Sequence, residues 1–119
     1  MTPPVFPRLT AYGDGGFRFA DGRREGSVLL VGGAIHPWAV DRLESATPED
    51  FDALFAADPV PDFVLLGAGP QNAPPPEAVR QRFRAAGVGL EVMDTGAACR
   101  VFATMASEGR RFAAALIAV

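Results

Sequence analysis

The residues best suited to chemistry in this sequence begin with a glycine-rich loop. Gly67-Ala68-Gly69-Pro70 follows a run of apolar residues, and a loop of this kind before a helix can hold a phosphate group on its backbone amides. The third glycine of the dinucleotide-binding fingerprint is missing after Gln71, and the chain has no lysine to complete a nucleotide phosphate loop. Two interpretations remain: an anion-binding loop, or a sharp turn where the chain leaves a strand.

A second stretch, Asp94-Thr95-Gly96-Ala97, resembles the active-site tetrapeptide of small aspartic proteases. Those enzymes pair two such aspartates, one from each subunit, around a shared proton. That family is all-β, whereas the apolar residues from Ala98 onwards recur at helical spacing. The other interpretation makes Asp94 or Thr95 a helix N-cap that accepts a backbone hydrogen bond. A dimeric aspartic protease is therefore only a remote alternative.

Cys99 and His36 are the only thiol and the only imidazole in the chain. A nucleophilic pair would need both, and nothing in the sequence brings them together. Cys99 lies in the first turn of a predicted helix, where the dipole would lower the pKa of a thiol, but apolar neighbours favour a place in the core. One cysteine and one histidine exclude a cysteine cluster or a His-His metal site. We predict no catalytic residue, no metal and no cofactor.

His36-Pro37-Trp38 places an imidazole and an indole side by side in the chain. The tryptophan either forms a binding edge or closes one end of the core beside an exposed histidine. Loops at the strand ends of α/β sheets gather ligands. We therefore predict one interaction site, formed by His36, Trp38, Gly67, Ala68, Gly69, Pro70 and Gln71.

Composition limits the classes of function. The 119 residues are 49% hydrophobic and 21% charged, with a net charge of −3, which excludes disorder and argues against nonspecific nucleic-acid binding. All 11 basic residues are arginine, a bias typical of a GC-rich bacterial genome. The clusters Arg23-Arg24 and Arg110-Arg111, the latter with Arg100, are therefore interpreted as solvated charges rather than anion sites.

The sequence shows no recognisable targeting or membrane-spanning segment. No apolar stretch approaches the roughly 18 residues that cross a bilayer, and the N-terminus has no signal-peptide pattern. We expect a cytoplasmic protein without a transmembrane segment. Residues 1–119 should form one domain, with a flexible N-terminus over residues 1–7.

Three extended pieces are predicted in the first part of the chain. Phe17–Phe19 and Val28–Val31, with a turn at Asp21-Gly22, suggest a hairpin, and a third piece runs from Ala34 to Val40. A helix should then begin after the N-cap Thr47.

The second half alternates strands and helices. The predicted elements are a strand over 62–67, a helix from Pro75 or Pro76 to Ala86, a strand over 90–93, a helix over 96–107 closed by Gly109, and a strand over 112–119. The order β-β-β-α-β-α-β-α-β predicts a mixed α/β fold around a mixed sheet. Nine residues should be buried: Phe63, Val64, Leu65, Leu66, Leu90, Val92, Phe102, Leu116 and Ile117.

The block from Glu91 to Ile117, together with the Gly67–Gly69 loop and Trp38, resembles a small family of unknown function over about residues 8–118. Mitochondrial members of that family include an assembly factor of respiratory complex I. The resemblance implies a three-layer α/β arrangement around a mixed sheet, which agrees with the single domain and the N-terminal hairpin predicted from the residues. It supplies no catalytic residue. This sequence has Val31-Gly32-Gly33 where the family usually places a proline after the apolar strand.

The resemblance implies a protein-binding or assembly role. The partner would be a protein, with a subunit of a membrane complex as the candidate that the mitochondrial members suggest. The alternative function is a small-molecule or anion-binding protein, or an enzyme, that uses the glycine loop.

Overall fold

A computed structural model describes residues 8–108 and 111–119 as two β-sheets and three α-helices. The predictions made for residues 1–7, for Gly109 and for Arg110 lie outside the described residues. The strands are β1 (Leu9–Gly13), β2 (Gly16–Phe19), β3 (Gly22–Glu25), β4 (Ser27–Val31), β5 (Ala34–Trp38), β6 (Phe63–Gly67), β7 (Gly89–Met93) and β8 (Phe112–Leu116). The helices are α1 (Asp52–Phe55), α2 (Glu77–Ala86) and α3 (Thr95–Ser107), and two 3-10 helices lie at Leu43–Ser45 and Pro48–Phe51.

The larger sheet is mixed, as predicted. Its five strands lie in the order β5-β4-β8-β6-β7. Strand β4 is antiparallel to both β5 and β8, whereas β6 is parallel to both β8 and β7. Strands β5, β8, β6 and β7 therefore point the same way, and their carboxyl ends meet at one edge of the sheet.

The predicted pairing of Phe17–Phe19 with Val28–Val31 is wrong. The turn at Asp21-Gly22 instead joins β2 to β3, and β4 lies between β5 and β8 in the other sheet. All five residues of β4 are buried. A continuous apolar run is buried on both faces, so it belongs in the middle of a sheet and not in a half-exposed hairpin.

The smaller sheet is an antiparallel meander, β1-β2-β3, and sequence reasoning missed two of its strands. Strand β3 is rich in charged residues, and β1 has three exposed residues out of five, so neither shows a clear apolar alternation. The dipeptide Asp14-Gly15 is a sequence signal for a hairpin turn and so for β1. In the structure both residues have positive φ. This pair forms the two-residue loop between β1 and β2, a typical hairpin turn.

The helices follow their predicted caps. Helix α3 begins where the Asp94 carboxylate accepts a hydrogen bond from the Ala97 N–H at 2.8 Å. Helix α2 ends at Gly87, which has φ +69°, the left-handed conformation that glycine adopts most readily. The predicted first helix is shorter and tighter than expected: a 3-10 turn over Pro48–Phe51 leads into a single α-helical turn, α1.

Two apolar clusters cover the two faces of the larger sheet, which gives the predicted three layers. One cluster packs α1 and α2 on the sheet, and the other packs α3 and the smaller sheet on its opposite face. Of the predicted core residues, Phe63, Leu90 and Val92 are only half-buried, because β7 is an edge strand and Phe63 opens β6. The other six are buried: Val64, Leu65, Leu66, Phe102, Leu116 and Ile117.

Replacing Phe102 with alanine should test the packing of α3. The Phe102 ring is buried and meets Phe112 edge-on, with ring centroids 5.6 Å apart. We expect Phe102→Ala to lower the free energy of unfolding by about 3–5 kcal/mol, measured by chemical denaturation. Thr104→Ala, exposed on the same helix, should change it by less than about 0.5 kcal/mol. Equal effects of both variants would contradict this packing.

Candidate functional site

The strand register brings the two predicted parts of the site to the same edge of the larger sheet. Trp38 pairs with Ser27 at the end of the hairpin of β4 and β5. One step further into the sheet, Val28 pairs with Leu116, and Leu116 pairs with Gly67. The indole and the glycine loop therefore both lie at the carboxyl ends of strands that point the same way, β5 and β6, with β4 and β8 between them.

Trp38 itself is a buried residue, with 8% of its surface exposed. Its indole N–H donates a hydrogen bond to the Asp50 carbonyl oxygen at 2.8 Å, and its ring meets Phe51 edge-on at 5.4 Å. The tryptophan thus holds the 3-10 turn against the sheet. His36 and Pro37, just before it on β5, are exposed and can contact another molecule.

Gly67 is required by a close approach between strand and helix. A Cβ atom at this position would lie 3.0 Å from the Thr95 Oγ1 atom and 3.2 Å from Leu116. Gly69 has φ +110°, a conformation that residues with side chains rarely adopt. Both glycines therefore have a structural explanation.

The loop is fastened by Thr95, which is completely buried. The Thr95 hydroxyl accepts a hydrogen bond from the Gly69 N–H at 3.0 Å and donates one to the Ile117 carbonyl oxygen at 2.7 Å. The Thr95 N–H donates to the Gly69 carbonyl oxygen at 2.8 Å. One residue thus joins the loop after β6, the end of β8 and the start of α3.

These bonds leave the loop few groups for an anion. The Ala68 N–H donates to the Met93 carbonyl oxygen at 2.7 Å, and the Gly69 N–H is used by Thr95. The chain then continues through Pro70 and Gln71, both exposed, and a helix begins only at Glu77. The geometry fits the turn interpretation, because the amides that would hold a phosphate already have protein partners.

The aspartic-protease interpretation does not fit this structure. Asp94 caps α3 and Thr95 is its first residue, so the tetrapeptide starts a helix within a mixed α/β fold. An aspartic-protease aspartate instead lies on a loop of an all-β protein and faces its symmetry mate.

Cys99 is a core residue, 6% exposed, in the cluster under α3. Burial raises the pKa of its thiol to about 12, an effect that the positive charge of Arg100 only partly offsets. His36 is exposed on β5, on the face that also carries Trp38. Trp38 belongs to the apolar cluster on one face of the larger sheet, and Cys99 belongs to the cluster on the opposite face. His36 and Cys99 therefore form no nucleophilic pair.

The predicted arginine clusters differ in their partners. Arg23 donates to the Glu25 carboxylate, which raises the pKa of the guanidinium, and Arg24 pairs with Asp21. Arg100 and Arg111 are exposed. Within residues 8–108 and 111–119, no three His, Cys, Asp or Glu side chains lie close enough together to hold a metal ion.

Sequence reasoning missed a groove of about 350 Å³ between β1 and α3. It is lined by residues 9–12 and by Cys99, Arg100 and Ala103. Tyr12 is 42% exposed there, and a Cβ at Gly96 would lie 2.6 Å from its hydroxyl oxygen, so a glycine in α3 lets the ring pack closely. The Asp14-Gly15 turn signal, which predicts β1, could have indicated this groove.

This chain is similar in sequence to a known protein family and to proteins of other organisms. The sequence profile described as "Protein of unknown function (DUF498/DUF598)" matches residues 9–117. NADH dehydrogenase [ubiquinone] 1 alpha subcomplex assembly factor 3 of Mus musculus is 30% identical over 109 residues, which are 92% of this chain and 59% of that protein. The chain thus spans little more than half of that relative.

Two bacterial proteins match over more of their own length. An uncharacterised protein of Rhodobacter capsulatus is 34% identical over 92% of this chain and 82% of its own. A crystal structure described as an outer membrane protein from Bartonella henselae superposes with a TM-score of 0.89 at 32% identity, covering 98% of each chain. In the part of this chain that the structure describes, none of the helices is long and apolar enough to cross a membrane.

Replacing Thr95 tests whether its hydroxyl fastens the loop. Thr95→Val keeps the shape but leaves the Gly69 N–H and the Ile117 carbonyl without their buried partner. We expect it to lower the free energy of unfolding by about 2–5 kcal/mol. Thr95→Ser keeps the hydroxyl and should cost only about 1 kcal/mol for the lost methyl group. Denaturation curves that rank the two variants the other way would refute this role.

Cys99 should make stability depend on alkaline pH. The thiol pKa is about 12 in the folded chain against 9.0 for a free thiol. Between these values the unfolded chain loses a proton that the folded chain keeps. Stability should therefore fall as pH rises above about 9, by up to about 1.4 kcal/mol per pH unit. Cys99→Ala should remove that part of the fall, measured from denaturation at several pH values. Rapid labelling of Cys99 by a thiol reagent near pH 7 would contradict its burial.

Proposed function

The chain belongs to the DUF498/DUF598 family of proteins of unknown function, and from this membership we propose that it binds a protein partner as an assembly-type factor. The observation that carries the proposal is the similarity to an NADH dehydrogenase assembly factor along 92% of this chain. The family match, over residues 9–117, includes every strand and helix described above. The proposed partner is accordingly a subunit of an NADH dehydrogenase, met on the cytoplasmic side of the membrane.

The chemistry of the sheet edge supports binding rather than catalysis. The Ala68 and Gly69 amides and the Thr95 hydroxyl are bonded within the protein. The exposed residues at this edge include His36 and Pro37 on β5 and Pro70 and Gln71 in the loop. A small-molecule site needs convergent polar groups in a concavity, whereas exposed side chains along an edge suit a protein surface.

The variants that test this contact must leave the fold intact. Trp38→Ala would empty a buried ring site and remove the bond to Asp50, and Gly69→Ala would force a side chain into a left-handed conformation. Both would lower stability and so could not isolate a binding role. His36 and Gln71 are exposed, and changing them should alter the surface alone.

The experiment is affinity purification of the tagged full chain from its own organism, with mass spectrometry of the proteins recovered. We expect NADH dehydrogenase subunits to be enriched over a tag-only control. The double variant His36→Glu with Gln71→Arg should reduce that enrichment by about tenfold at an unchanged melting temperature. Gln81→Arg, exposed on α2, is the matched control and should behave as wild type. No enrichment of these subunits would refute the assembly role.

A further inference from the structure

The groove between β1 and α3 follows the open backbone edge of a strand. It is lined by four consecutive residues of β1, 9–12. The register of β1 against β2 shifts at a bulge between Leu9 and Ala11. Beyond the bulge, Ala11 and Tyr12 are successive residues whose side chains point to opposite faces, so a groove that touches both runs along the backbone. Strand β1 has β2 on one side only, and an edge strand directs every second N–H and C=O outward.

The four sheet edges of the described chain differ in how well they could pair with another strand. Pro37 in β5 has no N–H to donate, and Glu91 places an exposed charge in the middle of β7. Strand β3 carries Arg23, Arg24 and Glu25. Charges, proline and β-bulges are the devices that keep edges unpaired. Strand β1, with the sequence LTAYG, has no charge and no proline, and its one bulge, between Leu9 and Ala11, leaves residues 11–13 in regular pairing with β2.

The surroundings of the groove are positively charged and partly apolar. Arg100 lines it, Arg8 precedes β1, and Arg18 pairs across from Ala11. All three are exposed, and none of them forms an ion pair with another described residue. On a chain whose net charge is −3, this patch favours an acidic ligand.

We propose that an extended acidic peptide segment of a protein partner binds in this groove as a fourth strand beside β1. Its backbone pairs with the open edge, its apolar side chains pack on Cys99 and Ala103, and its carboxylates face the arginines. Strand addition gives affinity through main-chain hydrogen bonds and specificity through alternate side chains. The inference goes beyond the proposed function, because it assigns a second contact surface, apart from His36 and Gln71, and names the chemistry of the segment that binds there.

The probe is a synthetic capped peptide of alternating valine and glutamate, titrated into the isotope-labelled full chain by NMR. We expect amide shifts concentrated at residues 9–12 and 99–103, and slower hydrogen exchange along β1. A peptide with N-methylated alternate residues, which cannot pair as a strand, should not bind. A peptide with lysine in place of glutamate should bind at least about tenfold more weakly. No shifts at these residues up to millimolar peptide, or equal binding of the lysine peptide, would overturn the proposal.

Two neighbouring positions on α3 provide a matched pair of variants. Ala103 lines the groove and Thr104 does not, and both are exposed. Ala103→Trp should fill the groove without changing its charge and weaken peptide binding by about tenfold or more, whereas Thr104→Trp should leave the affinity within about twofold. Equal effects would overturn the groove as the binding site.

The same variants separate this inference from the proposed function. Peptide binding at β1 without recovery of NADH dehydrogenase subunits would support the groove and refute the assembly role. Recovery of those subunits by a chain whose groove binds no peptide would support the assembly role and refute the groove as a peptide site.

Discussion

The buried hydroxyl of Thr95 is the interaction on which the arrangement of this sheet edge depends. It bonds to the loop after β6 and to the end of β8, and its own residue starts α3. Since the residue is fully buried, no water can replace either partner, and losing the hydroxyl would leave two polar groups unsatisfied. The residue therefore determines how far the loop lies from the helix and where the last strand ends.

Several features of the sequence follow from that junction. Gly67 has no side chain because the strand passes within contact of Thr95. Asp94 caps the helix whose first residue is Thr95, so the fragment that resembles a protease tetrapeptide serves as a helix start. The glycine loop resembles a phosphate loop for a related reason: both need backbone in a tight turn. Here the amides point at protein acceptors, so recognition is left to the outer surfaces.

The parts of the fold that the sequence predicts are those with strong local signals. Helices α2 and α3 have caps and apolar periods, and β6 is a continuous apolar run. Strands β1 and β3 are edge strands in which no residue is fully buried. Their sequences therefore lack the alternation of apolar and polar residues that predicts a strand. The sequence also indicates that Trp38 and the glycine loop follow strands, because strand ends are local features. The burial of Trp38 and the bond between Gly69 and Thr95, 26 residues apart, depend on tertiary contacts that no local pattern encodes.

The interior of this fold is closed, whereas the outer strands of its two sheets have open edges. Both faces of the larger sheet are covered by apolar clusters, and every buried side-chain polar atom among the described residues has a hydrogen-bond partner. No buried polar side chain among these residues therefore requires a ligand to complete its hydrogen bonds. The fold's remaining capacity for directional bonds lies in backbone edges and exposed side chains. Among the edge strands within residues 8–108 and 111–119, β1 is free of charge and proline, has one bulge near its start and adjoins a groove. Strand addition as proposed there would extend the smaller sheet and leave both apolar clusters as they are.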